Sequence, residues 1–249
     1  MKHRNLVYLL FATLVLPFMG CEKEYEDLSS ITYFPVFVME GEPEIIHTIG
    51  EPYIDGTVTA TEDGNPLEVR ISVIGELTGY RGTTVNVDEI DKYIITYSAT
   101  NADGYDGTAT RTVYVAPPNE DLVTGLSGIY LSNVQRTPTF AVTPQYSDMM
   151  YVYLLKTGDN TYELSCALGG YYSIGRNYGN DFAFQGAVIT AMDIPANIFT
   201  ISQASSPGFG NVADVTDFTV DAVNKRITFT STADFDNGVF HIQLEQVQY

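Results

Sequence analysis

Short runs of alternating apolar and polar residues recur along this chain, and clusters of turn-forming residues close them. Leu67-Glu-Val-Arg-Ile-Ser-Val73 is one such run. Near the end, Val239, His241 and Gln243 alternate with Phe240, Ile242 and Leu244. A period of two sends successive side chains to opposite faces, so these runs are strands with one buried face and one wet face. Clusters such as Asn101-Ala-Asp-Gly-Tyr-Asp-Gly107 supply the positive-φ positions that tight reversals need. Charged residues make up only 17% of the chain, and Gly, Thr, Tyr and Val stand in place of the Ala/Leu/Glu/Lys mixture of helical proteins. The expected fold class is all-β.

A chain of 249 residues suits one or two domains. Residues 31–116 carry about seven expected strands, the number of an immunoglobulin-like β-sandwich. They include 31–38, 57–61, 67–73, 83–87, 93–100 and 108–115. Ala116-Pro-Pro-Asn-Glu-Asp121 then marks a boundary, with 117–121 as a proline-stiffened linker. Residues 122–249 form a second antiparallel β-domain, with strands expected at 128–134, 149–155, 161–166, 181–185, 198–202, 215–220, 226–230 and 239–247. About eight strands joined by hairpins favour a lipocalin-like up-and-down barrel or a second sandwich.

The first residues have a different character. Basic residues open the chain, and an apolar run extends from Leu6 to Leu16. That length suits a signal sequence and falls short of the ~20 residues of a spanning helix. The run leads into Phe18-Met19-Gly20-Cys21, which resembles a bacterial lipobox. The resemblance implies that residues 1–20 are a lipoprotein signal peptide and that Cys21 receives a diacylglycerol, tying the protein to a membrane. Phe18 and Met19 depart from the residues usual at those positions, and an ordinary signal peptide or an anchor helix is the alternative. Residues 21–30 begin Cys-Glu-Lys-Glu-Tyr-Glu-Asp27, an acidic tether. This stretch resembles the export signal of Bacteroidota surface lipoproteins, which implies lipid anchoring in the outer membrane with exposure at the cell surface.

Further residues carry a second resemblance. Gly50-Glu-Pro-Tyr-Ile-Asp55, Tyr93-Ile-Ile-Thr-Tyr97, Asn101-Ala-Asp-Gly104 and Ala109-Thr-Arg-Thr-Val-Tyr-Val115 are similar in order and spacing to the bacterial immunoglobulin-like repeat. The resemblance implies a spacer that lifts a second module off the membrane. Tyr93 stands where a strand tyrosine can hydrogen-bond back to its own corner, and Ile95 stands where antibody domains carry a cysteine. The whole arrangement resembles two-domain surface lipoproteins of Bacteroidota, some of which accompany glycan-uptake systems. That implies polysaccharide, or an outer-membrane transporter, as partner.

With Cys21 lipidated, Cys166 has no disulfide partner, and its apolar surroundings make it a buried small hydrophobe. The segment Leu168-Gly-Gly-Tyr-Tyr-Ser-Ile-Gly-Arg-Asn-Tyr-Gly-Asn-Asp181 is the candidate binding loop. Exposed rings of Tyr171, Tyr172 and Tyr178 would stack on sugar faces, with Arg176 and Asn177 bonding to hydroxyls. The competing reading packs these tyrosines on the barrel. A net charge of −19 disfavours phosphate backbones, so nucleic acid is not an expected partner. His3, His47 and His241 show no ligand spacing, and no nucleophile or phosphate-cradling motif is present. Asp103 and Asp106 have oxygens that suit Ca²⁺, but Asn-Ala-Asp-Gly is also ordinary turn chemistry. The chain is read as a binding protein or a structural surface protein, without cofactor, metal or catalytic residue.

Overall fold

The structure is a computed structural model in which residues 31–249 are described. The signal segment, Cys21 and the tether lie outside the described residues. No helix among the described residues is long and apolar enough to cross a membrane.

The first eight strands form the immunoglobulin-like sandwich. They are β1 (Val36–Met39), β2 (Glu44–Thr48), β3 (Val58–Glu62), β4 (Asn65–Leu67), β5 (Arg70–Gly75), β6 (Arg81–Gly82), β7 (Asp91–Thr100) and β8 (Asp106–Ala116). One sheet has the order β1-β3-β4 and the other β2-β8-β7-β5-β6. The β2–β8 pairing is parallel and the rest are antiparallel. Val73, Tyr93, Ile95, Tyr97, Val113 and Val115 fill the core, against Phe37, Met39 and Val58 from the smaller sheet. The period of two is complete in β7, where every second residue from Asp91 is buried. The Tyr93 hydroxyl donates to the Glu89 carbonyl at 3.4 Å, closing its own corner.

The alternating run 67–73 is not one strand. Its first residue ends β4 and its last four lie in β5, in the other sheet. Val69 and Val73 still pack in the core across this crossing, which is how a sandwich turns a corner without losing its inner face. Two further expectations differ, and one strand was not expected. Residues 83–87 form no strand, and the neighbour of β5 is the two-residue β6. Residues 44–48, unread in the sequence, add β2 at the sheet edge. Pro35 precedes β1, which starts at Val36.

Arg111 lies on the buried parity of β8 and is 1% exposed. A buried charge needs a paired, hydrogen-bonded partner. Asp55 is that partner. It takes the Arg111 guanidinium on Oδ1, the Tyr97 hydroxyl on Oδ2 and the Tyr53 hydroxyl at 3.0 Å. Arg111 also reaches the Glu40 carbonyl, which ties the end of β1 to β8. Burial opposes the Arg111 charge, but Asp55 outweighs it and holds the guanidinium protonated. The Gly-x-x-Tyr-x-Asp segment is thus the acceptor half of a buried cluster.

The second domain is one curled antiparallel sheet rather than two packed sheets. Its strands are β9 (Gly128–Arg136), β10 (Met149–Gly158), β11 (Thr161–Leu164), β12 (Ala187–Asp193), β13 (Ile198–Ile201), β14 (Ala204–Ser205), β15 (Val212–Asp221), β16 (Arg226–Ala233) and β17 (Val239–Gln246). The order is β13-β12-β11-β10-β9-β17-β16-β15-β14. First and last strands are neighbours, and the sheet stays open between β13 and β14, so it is a half-barrel. Side chains bridge the gap: Phe199 packs on Phe218 at 4.9 Å, and Asn197 accepts the Val220 N–H at 2.6 Å. Residues 181–185 are not a strand. Gly179 and Gly186 take positive φ, and between them a 3-10 turn drops Ala183 and Phe184 into the core.

Asp55→Ala leaves the buried Arg111 charge uncompensated, a loss of about 3–5 kcal/mol. Urea unfolding of the described chain should show it, and the double change Asp55→Leu/Arg111→Met should recover most of it. An unchanged unfolding midpoint in Asp55→Ala would show that the cluster does not hold the sandwich.

Candidate functional site

The two domains meet without a free linker. Ala116 and Pro117 are buried. The Tyr249 hydroxyl donates to the Pro117 carbonyl at 2.8 Å, and the Asn119 and Gln246 amides bond to Val247 and Glu120 carbonyls at 2.6 and 2.9 Å. Tyr114, Ala116, Ile129 and Tyr151 make a small core across the junction. Tyr151 is the extra residue of a β-bulge in β10 and has φ 96°, a strained value for a bulky side chain. Such a backbone costs on the order of 1–3 kcal/mol and persists where surrounding contacts over-determine it. Here they do: the Tyr151 hydroxyl donates to the Val115 carbonyl, and its ring packs on Tyr114 at 5.4 Å.

Beside this junction lies a cleft of about 680 Å³. The half-buried Tyr153 and the buried Tyr114 and Tyr151 are part of its lining. One wall is the turn at residues 75–79 of the sandwich. The fully buried Asp91 shapes it, accepting the Leu77 and Thr78 N–H groups at 2.7 and 3.0 Å. Gly75 is required there, because a Cβ would fall 2.1 Å from the Asp91 carboxylate. Lys92, paired with Glu76 at 2.8 Å, and Arg81 add charge to the same side. The opposite wall is the candidate segment itself, through Ser173, Ile174, Asn177, Gly179 and Asn180.

The segment between β11 and β12 enters the half-barrel before it reaches the cleft. Gly169 passes so close to the inner wall that a Cβ would lie within 2.9 Å of Ser132, Val134 and Ile242. Ser132 and Ser231 donate to the Gly169 and Ala167 carbonyls. Cys166 is buried, and burial raises its thiol pKa. Gly170 then takes φ 80° and starts a π-helical turn, Tyr171–Gly175.

That turn separates the five expected binding residues. Tyr171 and Tyr172 are 5% and 8% exposed. Their rings pack against Phe240 at 5.2 and 6.4 Å instead of forming an exposed platform. The reason is packing: a curled sheet with an open seam leaves an interior that must be filled, and these rings are bulky enough to fill it. Tyr178 is half exposed and lies 6.1 Å from Tyr172. Arg176 is exposed, sits 5.4 Å from the Tyr171 ring centroid and donates to the Tyr146 hydroxyl at 3.2 Å. The phenol oxygens of Tyr178, Tyr146 and Tyr171 raise its pKa. Burial pushes the Tyr171 phenol up, but Tyr146, Arg136 and Arg176 together bring it below its ordinary value. Of the five, Asn177 lines the cleft. Sequence reading missed Tyr114, Tyr151 and Tyr153, which look like ordinary strand residues. Asp106 is engaged by Thr100 and by Arg70 at 3.2 Å, and Asp103 is exposed. No group of three or more His, Cys, Asp or Glu side chains among the described residues could hold a metal.

Comparison with known proteins fits this architecture. Residues 37–115 match the family model of the bacterial surface protein Ig-like domain. Residues 119–246 match a family model described as a C-terminal domain. Fold and matches together define a bacterial surface protein with an Ig-like domain followed by a half-barrel. The chain belongs to the family of that C-terminal domain. It is similar to the crystal structure of the lipoprotein BT2262 from Bacteroides thetaiotaomicron, at 25% identity and a TM-score of 0.55, over 86% of this chain and 100% of that one. No curated protein matches the sequence. Neither matched family is that of a known enzyme.

The cleft tyrosines give the junction a pH signature. Burial first, then the Glu163 and Asp91 carboxylates, push Tyr153 up to about 12. Burial also raises Tyr151 and Tyr114. Unfolded, these phenols ionise near pH ~10. The folded chain keeps them neutral to higher pH, so their stabilisation is complete below pH ~10 and is lost as pH climbs through the raised values. The urea midpoint should therefore fall between pH ~10 and ~12, and fall less in Tyr153→Phe. An identical fall in that variant would remove Tyr153 from the explanation.

Proposed function

We propose that this protein is a lipid-anchored cell-surface binding protein that captures glycan in the cleft between its two domains. The signal-like residues 1–20 and the thiol of Cys21 provide the anchor, and the acidic tether places the protein on the outer membrane facing outward. The Ig-like domain acts as spacer and also as one wall of the site. The observation that carries the reading is the cleft: about 680 Å³ with the half-buried Tyr153 ring in its lining, the Asn177 and Asn180 amides and a few charges at one side. Aromatic surface with a small number of placed polar groups, at a domain junction, is the usual make-up of a small-ligand site. A tyrosine ring such as that of Tyr153 offers a flat apolar face to sugar CH groups, and planar amides match hydroxyls as donor and acceptor at once. The shape does not depend on mobile parts, because Asp91 fixes one wall and the π-helical turn the other. We read the protein as a binder and not an enzyme.

The test is retention of the mature chain in native gels containing polysaccharides, compared with Tyr153→Ala/Asn177→Ala. The wild type should be slowed by at least one polysaccharide, and the double variant should lose about tenfold or more in affinity. Labelling of cells with tritiated palmitate should mark the wild type and spare Cys21→Ser. Equal retention of both chains would remove glycan capture from the cleft. Absence of any retention, with co-purification of an outer-membrane transporter, would make the protein a subunit of that transporter instead.

A further inference from the structure

The outer face of the half-barrel carries a second cavity of about 500 Å³. It lies over the wet face of β9, β17 and β16. Strand register arranges its polar side chains in two rows across the sheet. Gln135, His241 and Thr230 are cross-strand partners in one row, and Asn133, Gln243 and Thr228 in the other. Neighbouring strands lie about 4.8 Å apart, and residues two apart along a strand about 6.8 Å. The rows thus form a regular grid of amides, hydroxyls and one imidazole.

Much of this grid is unspent. Among the described residues, the Gln135 and Gln243 amides and the Thr230 hydroxyl have no hydrogen-bond partner within the protein, although all three are only half exposed. The remainder is held in place. Asn133 accepts the Asp148 N–H at 3.0 Å, and Thr228 pairs with Thr219 at 2.7 Å. The connection between β9 and β10 folds over the face. Its Phe140 stacks on the His241 ring at 4.3 Å and 14°, and Tyr146 adds an aromatic edge. The 3-10 turn of that connection is anchored to the candidate segment, through Gln145 donating to the Gly175 carbonyl at 2.9 Å. A bulge in β15 brings Asp217, at φ 54°, to the far side.

The lining contains no lysine or arginine and one carboxylate, Asp217. A phosphate, sulfate or uronate chain has no cation to meet there. A peptide recognised through its backbone needs an unpaired strand edge, and β9, β17 and β16 are paired on both sides. Unpartnered amides beside hydroxyls suit a ligand that donates and accepts at closely repeated positions along a neutral ring. From this grid we infer that the outer face of the half-barrel is a second binding site, for the neutral sugar units of a polysaccharide. It stands apart from the inter-domain cleft and does not rest on the reading given for it. If both sites act, one long glycan can engage them together, and the effective concentration of the second contact raises avidity.

The experiment uses the mature chain in native gels with starch, galactomannan, xyloglucan and levan as neutral probes and polygalacturonate as the acidic one. Gln135→Leu/Gln243→Leu removes the free amides at half-exposed positions. Thr230→Val removes one hydroxyl at nearly constant shape, which keeps the test decisive should the double variant fold poorly. The expected result is retention by at least one neutral probe and none by polygalacturonate. Affinity should drop about tenfold or more in the double variant and about threefold or more in Thr230→Val, at unchanged melting temperature. Binding equal to wild type in both variants overturns the inference, and so does the absence of retention by every neutral probe. Loss in these variants with full binding by Tyr153→Ala/Asn177→Ala keeps the outer-face site and removes the cleft. The reverse pattern keeps the cleft and removes the outer-face site.

Discussion

The bond from the Tyr151 hydroxyl to the Val115 carbonyl decides how the two domains work together. It joins a bulged strand of the half-barrel to the last turn-free stretch of the sandwich, at the point where a linker would otherwise be free. A strained φ at a large aromatic residue is stable only because ring, hydroxyl and neighbouring Tyr114 are all engaged. The Pro117 and Glu120 carbonyls accept from the Tyr249 and Gln246 side chains, and the Asn119 amide donates back to the Val247 carbonyl, so the junction is closed from both directions. Inter-domain motion is the default for small polar junctions. This junction is mostly buried aromatic and aliphatic surface, which makes a cleft between the domains a fixed shape.

The half-barrel solves a different problem. Its two edge strands do not pair, so its interior cannot be sealed by hydrogen bonds alone. The chain fills it with its own segment after β11, using Gly169 where only a bare backbone fits and Tyr171 and Tyr172 where volume is needed. A filled interior has a functional consequence: ligands must be taken at the rim, the junction or the outer face, and not in a central lipocalin-like cavity. The two arginines near the Tyr171 ring, Arg136 at 5.5 Å and Arg176 at 5.4 Å from its centroid, stabilise this packing.

Much of the fold was legible because period two survives in both domains. The hairpin of β7 and β8, the half-barrel meander and the buried strand tyrosine Tyr93 follow from local pattern. What was hidden depends on long-range packing. The alternation of 67–73 is the same whether the run stays in one sheet or crosses to the other, so sequence could not show the break between β4 and β5. Arg111 could have been noticed: a cation on the parity of Val113 and Val115 demands a partner, and the Tyr-x-Asp segment was in view. The candidate segment was unusual in composition for a real reason, but glycines and tyrosines fill an interior as readily as they present rings to solvent. Its contribution to the cleft came from Ser173, Asn177 and Asn180 and not from those rings. Tyr151 carried no local sign of its bulge at all.

The central claim is that glycan sits between the domains, held by two rigid walls. Hydrogen–deuterium exchange of the mature chain, with and without an oligosaccharide cut from a polysaccharide that retards it, tests this most directly. The account predicts slower exchange at residues 75–79 of the sandwich and at 173–180 of the half-barrel together, because one ligand bridges both. Protection of neither segment, in a chain saturated with that oligosaccharide, would contradict it.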